Sequence, residues 1–292
     1  MKPVHTADTF SVVRFYLIAV SFVVIAAGWD SILIKPAKLL IVLVHEMWHG
    51  IIAMAGGVKL DAIVIHGDES GETLVSGRLG FFAFIASVSA GYIGTALTGA
   101  TLLRVGLGRS YERTTLTIFT LLLFYMSFLF TEPGSTAYMT GLLSSLFCIV
   151  ILFLGQEAAG KALVVLGSCF VFYSLFDLYD FTQPQTTDAN ILAIFLERQG
   201  YLTKDSWITP ISILWTICIA AVVYLPLRSV HISADQPAPV ADDMAITDEP
   251  QTTMPPAEPD ATPVSEKPTE MPPGFDEQEL ANLQAMMAEF KQ

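Results

Sequence analysis

Seven apolar segments, each long enough to cross a lipid bilayer as a helix, constrain the fold of this chain more than any other feature. A helix needs about 20 predominantly apolar residues to span the hydrocarbon core. The segments are predicted at 15–34, 36–56, 80–103, 114–130, 136–154, 162–181 and 207–227. Because 53% of the 292 residues are hydrophobic and only 15% are charged, we expect a polytopic α-helical membrane protein with seven transmembrane helices.

The acidic charge of the chain is concentrated after the last apolar segment. Residues 234–292 carry thirteen acidic residues, two lysines and ten of the sixteen prolines. Such a sequence cannot bury enough apolar surface to fold alone, so we predict a transmembrane domain at 1–233 and a disordered tail at 234–292. Apolar residues at helical spacing predict a short amphipathic helix at 275–291, which could bind a partner protein.

The orientation of the chain in the membrane is indicated by one short basic loop. Residues 104–113 hold three arginines, and positively charged loops favour the cytosolic side. With seven spans, this places the acidic tail in the cytosol as well. No nucleic-acid partner is expected.

His45, Glu46 and His49 form the pattern H-E-M-W-H inside the second apolar segment. On a helix, residues four apart lie on the same face, so both imidazoles can bind one metal ion with Glu46 beside them as a base. A charged side chain at the centre of a spanning helix costs about 2.5 to 3.5 kcal/mol, so such residues usually mark a functional site. The competing interpretation is a chance match of a short pattern, with the three residues only packing.

A third metal ligand is expected, because catalytic zinc takes three protein ligands and one open position. Asp177 and Asp180 lie three residues apart near the end of the sixth segment. We predict Asp177 as the ligand and Asp180 as an alternative, or as a residue that orients a ligand. In the competing interpretation both acids face water at the end of a span. Asp188 is a weaker candidate, since it is predicted to cap a helix that follows it.

A β-hairpin is predicted directly after the metal-binding helix. Residues 58–65 are rich in β-branched side chains, 67–71 have turn composition, and 72–76 form a second short strand. The small residues of 89–94, followed by Gly99, would allow helices to approach closely.

Taken together, these features resemble the site-2 proteases, which are intramembrane zinc metallopeptidases, and within them a compact branch without PDZ or CBS domains. The resemblance covers about residues 36–230 and is strongest at 41–99. That family usually has Gly before the second His and Asp-Gly in its third core helix, where this chain has Trp48 and Asp177-Leu178. Trp48 either narrows the space beside the metal or turns toward lipid.

The resemblance implies a mechanism for the residues of the motif. His45, His49 and Asp177 would bind one Zn²⁺ per chain, and Glu46 would transfer protons during hydrolysis of a peptide bond. The substrate would be a membrane protein cut in or near its transmembrane segment, as in regulated intramembrane proteolysis. Two alternatives remain open: an inactive membrane binding protein of the same fold, and a metal transporter.

The hairpin acquires a role from the same resemblance. An exposed strand edge could hold the substrate in an extended conformation by β-strand addition. Val58, Ile63 and Ile65 are the predicted substrate-binding residues of that edge. The alternative is a surface hairpin with no contact to substrate.

Overall fold

The computed structural model describes residues 6–29, 31–180 and 187–234. Apart from Ala234, the acidic tail predicted at 234–292 lies outside the described residues, together with its predicted helix at 275–291. The side chains of Asp177 and Asp180 lie outside them as well. The tail and its proposed partner therefore stay predictions.

Within the described residues, the chain forms eight α-helices and one β-hairpin. The helices are α1 (Thr6–Ala27), α2 (Lys35–Ala55), α3 (Phe81–Gly108), α4 (Glu112–Phe130), α5 (Thr136–Phe153), α6 (Gln156–Asp180), α7 (Asp188–Arg198) and α8 (Lys204–Ala234). The strands β1 (Lys59–Ile65) and β2 (Gly71–Ser76) lie between α2 and α3. The predicted hairpin is confirmed.

Six of the described helices are long and apolar enough to span a membrane, namely α2 to α6 and α8. In α1 the apolar part is shorter and runs from Tyr16 to Ala27. Large apolar side chains on the outer helices are exposed, including Ile118, Phe128, Phe147 and Leu214. An apolar outer surface is expected where lipid is the solvent, so the chain is a polytopic membrane protein.

Five predicted segment boundaries differ from the helix ends by five residues or more, and a local turn explains two of them. The first helix ends at Ala27 instead of reaching residue 34, because a turn that begins at Gly28 precedes α2. The sixth begins at Gln156 rather than at 162, since Gly155 adopts a positive φ of 104° and closes a tight turn after α5. The polar first turn of α6 is helical too, with Lys161 paired to Glu157 at 2.7 Å.

The central helix of the bundle is α3, which packs against α2, α6 and α8. Its small residues allow these close approaches. A Cβ atom added at Gly99 would lie 2.8 Å from the Cβ of Phe170, and one added at Gly106 would lie 2.8 Å from Val164. Both neighbours belong to α6, so the glycines of α3 determine how closely α6 can pack.

The hairpin lies against α2. Its strands are antiparallel, with Ile63 opposite Thr73 and Ile65 opposite Gly71. Ile63 and Ile65 are buried in the same apolar cluster as the α2 residues. At the turn, Lys38 of α2 pairs with Glu69 at 2.9 Å. The hairpin is therefore fixed to α2 by apolar packing and by a charged contact.

A polar cluster, the α1 clamp, consists of the buried pair Arg14 and Glu112 and of Gln156 at its exposed side. Arg14 Nη2 donates to Glu112 Oε1 at 2.8 Å, and Gln156 Nε2 donates to Glu112 Oε2 at 2.8 Å. Arg14 also donates through Nη1 to the carbonyl oxygen of Gly106. Arg14 and Glu112 are each only 2% exposed. The clamp connects α1 to α3, α4 and α6 and compensates the charge that lies directly before the first apolar segment.

Candidate metal centre

His45, Glu46 and His49 lie together on α2, where a metal ion could reach all three. One ligand atom of each lies within 4.8 Å of the others. Glu46 and His49 are buried, and the side chain of His45 is 12% exposed. The grouping follows directly from the helical repeat, because residues four apart face the same side.

His49 is oriented by the backbone of α3. Its Nδ1 lies 2.7 Å from the carbonyl oxygen of Ser87, and the Ser87 hydroxyl donates to the carbonyl oxygen of His49 at 3.0 Å. A carbonyl can only accept, so Nδ1 of His49 carries the hydrogen. In a neutral imidazole this leaves Nε2 with a free lone pair, which is the form that binds metal.

His45 is oriented by aromatic packing. The ring of Tyr92 meets the His45 ring edge-on, with centroids 4.7 Å apart and an angle of 87°. Tyr92 in turn packs on Trp215 of α8 at 5.3 Å, and Trp215 Nε1 donates to the Ser89 hydroxyl at 3.1 Å. The plane of the His45 ring is thus held through a chain of contacts that reaches α8.

Asp188, at the start of α7, completes the cluster. Its Oδ2 lies 3.0 Å from His45 Nε2 and 3.1 Å from His49 Nε2. Burial alone would raise the pKa of the Asp188 carboxyl, but His49 and His45 outweigh burial and hold that pKa well below its usual range. The structure therefore brings a carboxylate oxygen to the two imidazole nitrogens.

The predicted capping role of Asp188 is wrong. The N-cap of α7 is Thr187, whose hydroxyl accepts from the backbone N–H of Asn190 at 3.4 Å. With Thr187 as the cap, Asp188 is the first residue of the helix and its side chain is free to point at α2. An acid at a helix start has the same sequence signature in both roles, which is why the sequence favoured capping.

Asp177 and Asp180 belong to the last turn of α6. Their side chains lie outside the described residues, so their predicted roles as ligand and as alternative stay predictions. Among the residues whose side chains are described, Asp188 supplies the carboxylate that contacts both histidines.

The donor set and its spacing fit a zinc ion. In a tetrahedral site with bonds of about 2.0 to 2.1 Å, neighbouring ligand atoms lie about 3.3 Å apart, close to the observed 3.0 and 3.1 Å. A neutral His49 would also direct a lone pair at a carboxylate oxygen, an arrangement that needs a cation or an added proton between them. A Cβ at Gly91 would lie 2.3 Å from His45 Nε2 and 2.4 Å from His49 Nε2, so a glycine keeps this space open.

Glu46 lies beside these side chains and is held by β2. The Thr73 hydroxyl lies 2.8 Å from Glu46 Oε2 and also 2.8 Å from the Glu46 carbonyl oxygen. Thr73 is not predictable as a site residue, because nothing in a single threonine of a short strand indicates contact with a neighbouring helix.

The family of the chain follows from a comparison over most of its length. A family model for Peptidase M50B-like proteins matches residues 17–225. The chain belongs to the Peptidase M50B-like family. The resemblance to site-2 proteases is confirmed, and the chain is an integral membrane protein of a metallopeptidase family. No curated protein and no solved structure matches the chain.

In this M50B-like chain, Trp48 packs against α3 rather than turning wholly toward lipid. Its Nε1 donates to Thr98 Oγ1 at 3.0 Å, and a Cβ at Gly94 would lie 2.2 Å from its ring. Trp48 also borders a small apolar cavity between α2, α3 and α4. The bulky residue before the second histidine is thus accommodated by a glycine on the neighbouring helix.

The predicted substrate-binding residues of the M50B-like chain have buried side chains. Val58 is 7% exposed, Ile63 1% and Ile65 4%. These side chains pack in the protein core, and their predicted role at a strand edge stays a prediction. Strand β1 also contacts α4 and α5, whereas β2 mainly contacts α2 and β1.

Proposed function

We propose that this chain is an intramembrane zinc metalloprotease that cuts a peptide bond in or near the transmembrane segment of a membrane-protein substrate. The observation that carries the proposal is the convergence of His45 Nε2, His49 Nε2 and Asp188 Oδ2, with the Glu46 carboxylate beside them, inside a bundle of membrane helices. The family membership supports the same chemistry.

His45, His49 and Asp188 are the residues proposed to hold one zinc ion per chain. A bound zinc ion would activate water for attack and polarise the substrate carbonyl. The hydrogen bond from His49 Nδ1 to Ser87 and the edge contact of Tyr92 with His45 keep both Nε2 atoms directed at the same point. This arrangement reduces the reorganisation needed to bind the ion.

Glu46 is proposed to move the protons of the reaction. As a carboxylate it accepts a proton from the attacking water, and as a carboxylic acid it donates that proton to the nitrogen of the leaving amine. Its position in the turn that separates the two histidines places it close to the reacting atoms. Burial limits access of bulk water to the same carboxylate.

The substrate is proposed to bind in an extended conformation along the hairpin, because a peptide bond inside a helix is shielded from attack. The outer edge of β2 is the more suitable edge, since β1 is also covered by α4 and α5. The release of a membrane-tethered factor by such cleavage, with the acidic tail on the cytosolic side, is part of the same proposal.

The test uses the full chain in lipid vesicles and a panel of single-span fusion proteins with a tag at each end. We expect about one zinc per chain in the wild type and in Glu46→Gln, but cleavage only in the wild type. His45→Ala should lose both zinc and cleavage. Thr216→Val, at an exposed position on α8, is the matched control and should retain both.

Two results would contradict the proposal. Cleavage by Glu46→Gln at the wild-type rate would exclude Glu46 as the base. Wild-type protein that binds no zinc even when the metal is supplied would favour a membrane protein that captures its clients without cutting them.

A further inference from the structure

The carboxylate of Glu46 would need a fixed position, yet a glutamate on a helix has three rotatable side-chain bonds. A general base must come within hydrogen-bonding distance of the proton that it accepts. Restricting the side chain to one conformation beforehand lowers the cost of reaching that geometry. The contacts that restrict Glu46 come from β2.

Thr73 contacts Glu46 at two atoms. Its Oγ1 lies 2.8 Å from the carboxylate Oε2 and 2.8 Å from the backbone carbonyl oxygen of the same residue. The hydroxyl has one hydrogen, which the two acceptors share. One of these acceptors belongs to the backbone of α2. The threonine therefore fixes the position of the carboxylate relative to that helix.

Gly71 makes the second contact. A Cβ atom at this position would lie 2.5 Å from Glu46 Oε1, 2.7 Å from its Cγ and 2.9 Å from its Cδ. Gly71 is not among the residues with positive φ, so its backbone conformation is open to alanine. The glycine is therefore required by the space that Glu46 occupies rather than by the turn.

The register of the hairpin explains why these two residues face α2. Thr73 is paired with Ile63, and Gly71 is paired with Ile65. Directly paired residues project from the same face of a sheet, and residues two apart on a strand do so as well. The buried side chains of Ile63 and Ile65 hold this face on α2, which fixes Gly71 and Thr73 against Glu46.

We infer that β2 positions the catalytic base: Thr73 is a positioning residue that holds the Glu46 carboxylate by a hydrogen bond, and Gly71 provides the space for it. This inference rests on the proposed function. It gives the hairpin a role in the chemical step in addition to any contact with substrate. The same strand would align the base and, at its outer edge, the substrate.

The test compares two substitutions of Thr73 in the full chain, on the fusion protein that the wild type cuts best. Thr73→Val keeps the shape and removes the hydroxyl, so we expect kcat to fall about tenfold to a hundredfold, as for loss of a hydrogen bond to a charged group. KM and zinc content should stay at the wild-type values. Thr73→Ser restores the hydroxyl and should recover most of kcat.

Alanine substitutions at two glycines of the hairpin test whether Gly71 provides the space for the Glu46 carboxylate. Gly71→Ala should lower kcat because its methyl group displaces the carboxylate. Gly67→Ala, in the turn of the same hairpin, is the matched control, since no atom lies within 4 Å of the added Cβ. Equal kcat values for the two alanine variants would overturn the role of Gly71.

An infrared measurement makes the result independent of cleavage. The carboxylate band of Glu46 is isolated as the difference between wild type and Glu46→Gln. It should shift in Thr73→Val and remain in place in Thr73→Ser. A band and a kcat that are both unchanged in Thr73→Val overturn the inference while the proposed function stands. If the wild type cuts no fusion protein, the proposed function fails and the band alone decides whether Thr73 positions Glu46.

Discussion

The bundle contains two largely buried polar clusters that balance their charges in different ways. In the α1 clamp, the guanidinium of Arg14 faces the carboxylate of Glu112 at 2.8 Å, and Gln156 binds the other carboxylate oxygen. In the metal centre, the carboxylate of Asp188 faces two imidazole nitrogens, one of which carries a lone pair when its ring is neutral. The clamp pairs its opposite charges within the protein, whereas a neutral His49 would need a cation or an added proton between its Nε2 and the Asp188 carboxylate.

The difference distinguishes a structural cluster from a functional one without reference to sequence motifs. Both clusters are largely buried, both connect distant helices, and both use a glycine to make room, Gly160 in the clamp and Gly91 in the centre. Only the balance of donors and acceptors differs. Substitutions in the clamp should therefore affect stability, and substitutions in the centre should affect metal binding.

The largest expected effect comes from removing the carboxylate of the centre. Asp188→Ala should lose zinc and cleavage completely, because two imidazoles alone form an incomplete site. Elemental analysis of the purified protein measures the zinc. Asp177→Ala is the comparison variant, and we expect it to retain zinc. If Asp177→Ala loses zinc and Asp188→Ala retains it, the third ligand belongs to α6.

The clamp should show the opposite pattern. Glu112→Gln removes the carboxylate charge that faces the buried guanidinium of Arg14 and should lower the free energy of unfolding by about 3 to 5 kcal/mol. Zinc per folded chain should not change. Unfolding in mixed micelles, followed by circular dichroism, measures the first quantity. A Glu112→Gln protein that stays as stable as the wild type would show that the pair contributes little.

A methyl group at Gly91 should impair the centre without removing a ligand. Gly91→Ala places a Cβ 2.3 to 2.4 Å from the two Nε2 atoms, so we expect zinc affinity to fall at least about a hundredfold, beyond the range found for supporting residues. Competition with a fluorescent chelator measures the affinity. Gly108→Ala on the same helix, where no atom lies within 4 Å, is the control. Equal affinities would mean that the space beside Gly91 is not used.

The smallest effect should come from the aromatic support of His45. Tyr92→Leu removes the edge contact and should weaken zinc binding by about tenfold, the lower limit for residues that orient a ligand. In Co²⁺-substituted protein the visible spectrum should shift, because the imidazole orientation changes. Tyr224→Leu, at an exposed position on α8, serves as control. An unchanged spectrum would show that the tyrosine ring does not orient His45.

Sequence reasoning succeeded where the determining contacts are local. The grouping of His45 and His49 follows from one helical turn, and the hairpin follows from strand composition and turn residues that directly follow the motif helix. Asp188 lies 143 residues from His45, and only the packing of the helix bundle brings the two together. From the sequence, its position at a helix start predicted a cap, although Thr187 performs that role.

The α1 clamp illustrates the same limit for stability. Arg14 lies directly before the first predicted span, and Glu112, which pairs with it, is 98 residues away. Glu112, in turn, has the sequence signature of an acid at the first turn of a helix. Neither residue indicates the other, since a long-range ion pair leaves no periodic pattern in one sequence.

The distance along the chain between His45 and Asp188 has a consequence for the metal itself. A zinc ion held by α2 and α7 would be a reversible cross-link between positions 143 residues apart in the chain. Docking of α7 and binding of the ion would then be linked equilibria, so each would strengthen the other by the same factor. Metal supply would thereby regulate the cohesion of the bundle as well as its chemistry.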